Sequence, residues 1–194
     1  MTQPEPARAD ARRNRDKLIT AARAAFAAPG GPVALEVIAS RAGVGIGTLY
    51  RHFPTREALV EAVYEAELDD VVASASTLLG QFPPDVALRA WMDRYAAFRV
   101  AKQAMMGTLR AGFPPGRISP STRDRVITAI TPVLARGASA GSFRADVRPD
   151  DVASLLLGVF LSTAATGTPE QAGRLLDLVV DALRARDTPA KNPA

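Results

Sequence analysis

A short segment near the N-terminus concentrates side chains whose chemistry suits the surface of double-stranded DNA. It begins at residue 45 and ends just before Phe53. Arginine can read a guanine edge or pair with a phosphate, whereas tyrosine and threonine hydroxyls and an imidazole can bond phosphate oxygens. Two glycines leave room for the backbone to come close to a partner. The residues concerned are Gly45, Ile46, Gly47, Thr48, Tyr50, Arg51 and His52.

Two short helices joined by a tight turn would position this segment. The first helix is predicted from apolar residues at helical spacing, which are Leu35, Ile38, Ala39 and Ala42. Gly43 can then adopt a positive φ at little cost, and Val44 is the apolar residue expected between two crossed helices. In the second helix, Leu49 and Phe53 lie four residues apart and form one buried stripe. The pattern predicts a helix-turn-helix whose second helix enters a DNA groove.

Further motifs flank this element. An Arg-rich stretch ends near Phe26, and a possible fourth helix opens with Thr55-Arg56-Glu57-Ala58-Leu59. With these motifs, the segment from about Arg12 to about Leu68 resembles the TetR family of transcriptional regulators. The resemblance implies an all-α fold, in which a three-helix DNA-binding domain with the helix-turn-helix precedes an all-helical ligand-binding and dimerisation domain. It implies base contacts from Ile46, Gly47 and Arg51, and phosphate contacts from Thr48, Tyr50, His52 and Arg56.

Two positions depart from the pattern usual in that family. Family members often carry Ser or Thr where this chain has Gly45, and a capping Thr where it has Ala34. Glycine is a tolerable N-cap, but alanine is a poor one. The sequence therefore predicts a less firmly fixed start for the helix that contains Ile38.

The positive charge of the chain is concentrated in the half that carries the motif. Residues 1–56 hold nine basic and four acidic side chains, a net charge of +5, whereas the remaining residues hold fifteen and sixteen, a net charge of −1. Such a field attracts a polyanion and releases its counterions. We expect the basic stretch from Arg8 to Lys17 to act as a phosphate-seeking arm; the alternative is a merely solvated terminus.

Composition favours a cytoplasmic regulator over a secreted protein, a membrane protein or an enzyme. The chain has 194 residues, 47% of them apolar, and no cysteine, which excludes disulfides and thiolate chemistry. No apolar run approaches the roughly eighteen residues that span a bilayer. The single histidine is His52, in the segment suited to DNA. The sequence shows no glycine-rich phosphate loop, no metal-ligand cluster and no Ser-His-acid set. We therefore expect no enzymatic activity, no metal and no cofactor.

Proline and glycine divide the chain into a small N-terminal and a larger C-terminal domain. The predicted segments are a disordered arm over 1–10, the DNA-binding domain over 11–68, the effector-binding and dimerisation domain over 69–187, and a disordered tail over 188–194. The first helix is expected from Arg12 to Ala27. A fourth helix, capped by Thr55 and running to about Leu68, is expected to link the two domains. Phe143, in a later connection, is expected to pack inward.

The last two predicted helices are apolar over more than one face. The second of them opens with Thr168 as N-cap and Pro169 as first residue, and it is apolar over more than half of its circumference. Such helices are buried on two sides, either as the centre of a monomer or under a second copy. TetR-like proteins use their last two helices for a four-helix dimer interface. The residues expected there are Leu155, Val159, Leu175, Leu178, Val179 and Leu183.

Aromatic and methionine side chains of the C-terminal half are the candidates for a small-molecule pocket. Methionine adapts to irregular ligands, and apolar cavities are the usual sites for small molecules. The alternative is that these side chains pack as ordinary core. They are Trp91, Tyr95, Phe98, Met105, Met106, Phe113 and Phe160.

Together these patterns predict a ligand-responsive, homodimeric repressor that binds a near-palindromic operator in double-stranded DNA. A small-molecule effector of unknown identity would release it. Twofold symmetry would set the two recognition helices about 34 Å apart, one turn of DNA. The alternative is a helical module that captures a small hydrophobic molecule or a partner helix without specific DNA recognition, its basic half serving only solubility.

Overall fold

Eight α-helices form the regular structure of the described part of the chain. The computed structural model describes residues 5–28, 33–107, 120–164 and 167–185. The helices are α1 (Glu5–Ala27), α2 (Leu35–Arg41), α3 (Ile46–His52), α4 (Arg56–Gln81), α5 (Pro84–Gly107), α6 (Pro120–Ser139), α7 (Pro149–Thr163) and α8 (Pro169–Leu183). None of these helices, within the described ranges, is long and apolar enough to cross a lipid bilayer. The predicted all-α class is confirmed.

The chain divides into two compact units. The first unit consists of residues 1–69 and 98–113, and the second unit of residues 70–97 and 114–194. Both α4 and α5 therefore contribute residues to each unit. Residues 98–107, the last part of α5, fall in the first unit, whereas the sequence pattern predicts them in the C-terminal domain.

An apolar core to which α1, α2, α3 and α4 all contribute holds the first unit together. The helical spacing of the apolar residues turns one stripe of each helix inward, and burial of each large side chain contributes roughly 1.5–3 kcal/mol. Among the buried residues are Leu18, Ala22, Ile38, Ala39, Leu49, Phe53, Leu59 and Val63. This shared core fixes the position of α3 relative to α1 and α2.

The first helix starts earlier than the sequence predicted. α1 begins at Glu5, so residues 5–10 of the predicted disordered arm are helical. Pro6 lies in the first turn, where its missing N–H costs no helical hydrogen bond, and the alanines and arginines that follow are strong helix formers. Arg13 also pairs with Asp10 one turn earlier. Residues 1–4 of the arm and the predicted tail 188–194 lie outside the described residues.

The fourth helix is longer than predicted. The hydroxyl of Thr55 accepts a hydrogen bond from Ala58 N at 3.2 Å, so the expected N-cap is present. The helix then continues past Leu68 to Gln81. No proline or glycine interrupts it before Gly80, and for that reason nothing ends the helix at the predicted boundary.

In the second unit, the end of α8 is fastened to the connection between α6 and α7. Arg144 N donates to the carbonyl oxygen of Leu183 at 2.9 Å, and Ala185 N donates to that of Ser142 at 3.2 Å. Phe143 between them is buried, as predicted, with its ring against Gly137 of α6. A Cβ at Gly137 would overlap that ring, so the close approach requires glycine.

Two arginines join helices of the second unit through carboxylates. Arg89 of α5 donates to Asp177 of α8 at 2.5 Å, and Arg123 of α6 donates to Asp150 of α7 at the same distance. The hydrogen bond from Arg123 lowers the pKa of Asp150 below its ordinary value. Since these pairs are substantially exposed, they orient the helices more than they stabilise the fold.

Candidate DNA-binding surface

A tight glycine turn joins α2 to α3. Ala42 N donates to the carbonyl oxygen of Ile38 at 3.0 Å, and Gly43 then takes a φ of +68°, as predicted. Val44 N donates back to Ala39 O at 3.0 Å, which satisfies an end carbonyl of α2. Gly45 starts the next helix, because its carbonyl oxygen accepts from Thr48 N at 2.9 Å. Together α2, the turn and α3 form the predicted helix-turn-helix.

The side chains of α3 divide between a buried and an exposed side. Leu49 and Phe53 face the core and are almost fully buried. A rotation of about 100° per residue places Gly47 and Arg51 opposite this pair and Tyr50 at the flank, and all three are exposed. Ile46, in the first turn beside the buried stripe, is exposed as well. Thr48 and His52 lie between the two sides and are half-buried. Gly45, at the start of the helix, is exposed as well.

The glycines of this surface are not required by the packing of the chain itself. A Cβ at Gly45 or Gly47 would meet nothing within 4 Å. Glycine inside a helix nevertheless costs about 0.5–1 kcal/mol relative to alanine. At Gly47, therefore, the fold bears a small loss of stability, and the backbone of α3 stays open to close approach from outside.

Basic residues of α1 extend this surface beyond the end of α3. The guanidinium carbon of Arg15 lies 5.3 Å from the centre of the Phe53 ring, which follows the last turn of α3. A cation at this end of a helix is favoured by the helix dipole. Arg12 and Arg8 lie on the same face of α1 as Arg15, toward its N-terminus, and both are exposed. One face of α1 thus carries three exposed cations, of which Arg15 lies beside the end of α3.

Arg56, expected to contact phosphate, makes contacts within the first unit. Its Nη1 donates to the carbonyl oxygen of Val33 at 2.6 Å. Its guanidinium carbon lies 5.5 Å from the centre of the Phe26 ring. The side chain is half-buried against other parts of the first unit. Nothing in the sequence around Arg56 signals these contacts, since both partners are distant along the chain.

Comparison with known proteins assigns both halves of the chain to one family. Residues 18–63 match the profile described as bacterial regulatory proteins of the TetR family. Residues 83–185 match the profile of the C-terminal domain of SbtR-like transcriptional regulators. The chain belongs to the TetR family of transcriptional regulators.

Two solved TetR structures agree with this assignment over most of the chain, and a further regulator matches about half of it. The TetR regulator SCO0520 from Streptomyces coelicolor is 40% identical; the match covers 88% of this chain and 98% of that one, with a TM-score of 0.66. A TetR regulator from Mycobacterium vanbaalenii is 34% identical over 93% of this chain and 100% of that one, also with a TM-score of 0.66. An HTH-type transcriptional regulator of Staphylococcus aureus is 26% identical over 54% of this chain, and the match spans 58% of that relative.

In this TetR regulator, the aromatic pocket candidates are divided between the two units. In the second unit, Trp91 stacks on Tyr95 with ring centres 5.5 Å apart, and Tyr95 meets Phe160 edge-on at 5.4 Å. Phe98 falls in the first unit, where its ring lies 5.2 Å from that of Tyr64. All four predicted pocket side chains named here are buried. Phe113 and the side chains of Met105 and Met106 lie outside the described residues.

Helices α7 and α8 present part of the predicted dimer interface to the surface. Leu178 is 63% exposed and Leu155 is 49% exposed, while Val159 and Leu175 are half-buried. A groove of about 560 Å³ lies among Asp151, Ser154, Leu155, Gly158, Val159, Ser162 and Leu175. Val179 and Leu183 differ from our expectation, because they are buried within the second unit.

The buried positions of α8 explain this correction. Leu176, Val179, Val180 and Leu183 recur at helical spacing and form the core-facing stripe. Leu178 lies on another side of the helix.

The predicted N-cap of α8 is confirmed, because the Thr168 hydroxyl accepts from Gln171 N at 3.2 Å. Among the residues that the structure describes, no group of three or more His, Asp or Glu side chains could hold a metal ion.

Proposed function

We propose that this TetR-family chain is a homodimeric, ligand-responsive repressor that binds a near-palindromic operator in double-stranded DNA. The observation that carries the proposal is the exposed side of α3, where Ile46, Gly47, Tyr50 and Arg51 stand together on the surface. A helical hairpin with a purely structural role would need neither these polar groups nor the open glycine. The net charge of +5 over residues 1–56 supports the same assignment.

Each exposed group of α3 has a proposed role in the groove. Arg51 reads a guanine edge, Ile46 meets a thymine methyl group, and Gly47 lets the backbone approach the bases. Thr48, Tyr50 and His52 bond phosphates along the rim of the groove. Because Thr48 and His52 are half-buried at the flank of the helix, they suit the backbone better than the groove floor. Exposed Arg8 and Arg12 continue the phosphate contacts from α1.

A second copy of the chain is the proposed partner of the exposed face of α7 and α8. Leu155 and Leu178 would remain in water in a monomer. The neighbouring groove is lined in part by the small residues Gly158 and Ser162. A Cβ at Gly158 would meet nothing within 4 Å. A partner helix can therefore approach closely. Twofold pairing through one self-complementary face would set two copies of α3 about one DNA turn, or 34 Å, apart.

Release by an effector is proposed to act through α4. This helix contributes residues to both units. In the second unit, the carbonyl oxygen of Val71 accepts the indole N–H of Trp91 at 3.0 Å. This bond joins α4 to the aromatic cluster of Trp91, Tyr95 and Phe160. These rings are the proposed effector site. By linkage, the effector lowers DNA affinity only if it binds the DNA-incompetent state more tightly than the DNA-bound state.

The salt dependence of binding tests this function against the alternative of a helical binding module. Duplexes bound by the purified protein are selected from a random pool, and the selected duplex and a shuffled one are titrated at several salt concentrations. We expect a marked preference for the selected duplex and a slope of log K against log salt of about −0.9 for each phosphate contact. Equal affinity for both duplexes would leave only a basic surface and refute the proposal.

A further inference from the structure

The first helix of the helix-turn-helix begins without a side-chain cap. Ala34 is its N-cap residue, and no side-chain hydrogen bond completes the cap. The backbone carbonyl oxygen of Ala34 accepts hydrogen bonds from Val37 N at 3.1 Å and from Ile38 N at 3.3 Å. Free N–H groups at a helix start are usually satisfied by Ser, Thr, Asp or Asn. The start of α2 therefore depends on support from elsewhere in the first unit.

Arg56 contacts the backbone directly before this helix start; as a donor it does not satisfy the free N–H groups, but it can hold the entry to α2 in place. It lies in the first turn of α4, and its Nη1 donates to the carbonyl oxygen of Val33, directly before the unassisted cap. The same guanidinium packs over the ring of Phe26 near the end of α1. A planar guanidinium can donate along its edge and stack through its face simultaneously, which an ammonium group cannot do. One side chain thus joins the end of α1, the entry to α2 and the start of α4.

We propose that Arg56 is a positioning residue, which fixes the start of α2 and through it the orientation of α3 toward DNA. The inference rests on the proposed DNA-binding function. The buried side chains of Ile38 and Leu49 share one core, and the Gly43 turn joins their helices directly. A displacement at the entry to α2 is therefore passed to α3, because a close-packed core does not absorb it locally. The phosphate contact implied by family resemblance is the competing role.

The two roles predict opposite responses to the same substitutions. Arg56→Gln removes the charge and shortens the donor, so we expect about tenfold weaker binding to the selected duplex if the hydrogen bond positions α2. In the positioning role, the slope of log K against log salt stays unchanged. In the phosphate role, the slope becomes less negative by about 0.9 for each lost contact. Arg56→Lys keeps the charge but loses the planar fork, so it also weakens binding only in the positioning role.

A second-site rescue separates positioning from direct contact. Ala34→Ser introduces a strong N-cap where α2 lacks one. If Arg56 acts by fixing this helix start, Ala34→Ser restores most of the affinity lost in Arg56→Gln. The same cap cannot replace a lost phosphate contact. Hydrogen exchange at the amides of Val37 and Ile38 provides a readout without DNA: it should speed up in Arg56→Gln and slow again in the double variant.

Arg136 provides a control far along the chain from the helix-turn-helix. Arg136→Gln removes an exposed charge from α6 in the second unit, and we expect neither the affinity nor the slope to change. Three results together would overturn the inference and leave the proposed function standing. They are weaker binding with a less negative slope in Arg56→Gln, full affinity in Arg56→Lys, and no rescue by Ala34→Ser. A wild-type protein that prefers no duplex would instead overturn the proposed function, and the inference with it.

Discussion

Substitution of Gly47 by alanine should change the stability of the protein and its DNA affinity in opposite directions. Gly47 lies in the first turn of α3, and a methyl group there would meet nothing within 4 Å. Alanine loses less backbone entropy on folding, so Gly47→Ala should stabilise the chain by about 0.5–1 kcal/mol. For a chain of this size, that gain corresponds to a rise in melting temperature of about 1–4 °C.

The same methyl group should weaken DNA binding, because it stands on the exposed side of α3 beside Ile46 and Arg51. Loss of a good contact to a base edge costs about 1–3 kcal/mol, or roughly 5- to 150-fold in affinity, for each recognition helix. Fluorescence anisotropy with the selected duplex measures this loss, and circular dichroism measures the melting temperature on the same preparation.

Gly80 provides a matched control for this substitution. It lies near the end of α4 in the second unit, and a Cβ there would also meet nothing within 4 Å. Gly80→Ala should therefore leave DNA affinity unchanged. If Gly47→Ala bound DNA as tightly as the wild type, the backbone of α3 would not approach the bases. If it melted at a lower temperature, Gly47 would have a structural role that its open surroundings do not explain.

Four further substitutions test the second unit. Leu178→Glu should dissociate the dimer in sedimentation experiments and leave each chain folded. Val179→Glu buries a charge and should cost on the order of 3 kcal/mol of folding stability. The reverse pattern would contradict the assigned faces of α8. Gly137→Ala should destabilise the fold by about 1–3 kcal/mol in urea, because the added methyl group overlaps Phe143; an unchanged midpoint would argue against that close contact. Trp91→Phe should lower the free energy of unfolding by about 1–2 kcal/mol, because the hydrogen bond to Val71 of α4 is lost. A stability equal to the wild type would show that this bond does not stabilise the fold.

The elements that the sequence predicted well are those whose signals are local. The Gly43 turn, the buried pair Leu49 and Phe53, and the Thr168 cap each follow from a residue type at a fixed position within one or two helical turns. Such features depend little on the rest of the molecule. For that reason the helix-turn-helix, and with it the exposed side of α3, could be predicted from a single chain.

The features that the sequence did not reveal depend on distant contacts. α8 is apolar around more than half of its circumference, so its pattern alone could not separate the buried Val179 from the exposed Leu178. The start of α1 was misplaced because prolines in a first turn resemble a helix break. The contact between Arg56 and Val33 joins residues 23 positions apart, and no local pattern in the sequence predicts it.

Parallel selection of duplexes by the wild type and by Arg51→Ala tests the central claim most directly, namely that the exposed side of α3 reads the bases of DNA. For the wild type, we expect a near-palindromic motif with half-sites about one helical turn apart. Arg51→Ala should keep the symmetry and lose preference at one or two equivalent positions in each half-site, with a cost of about 1–3 kcal/mol. A wild type that enriches no motif, or two identical base profiles, would contradict the claim.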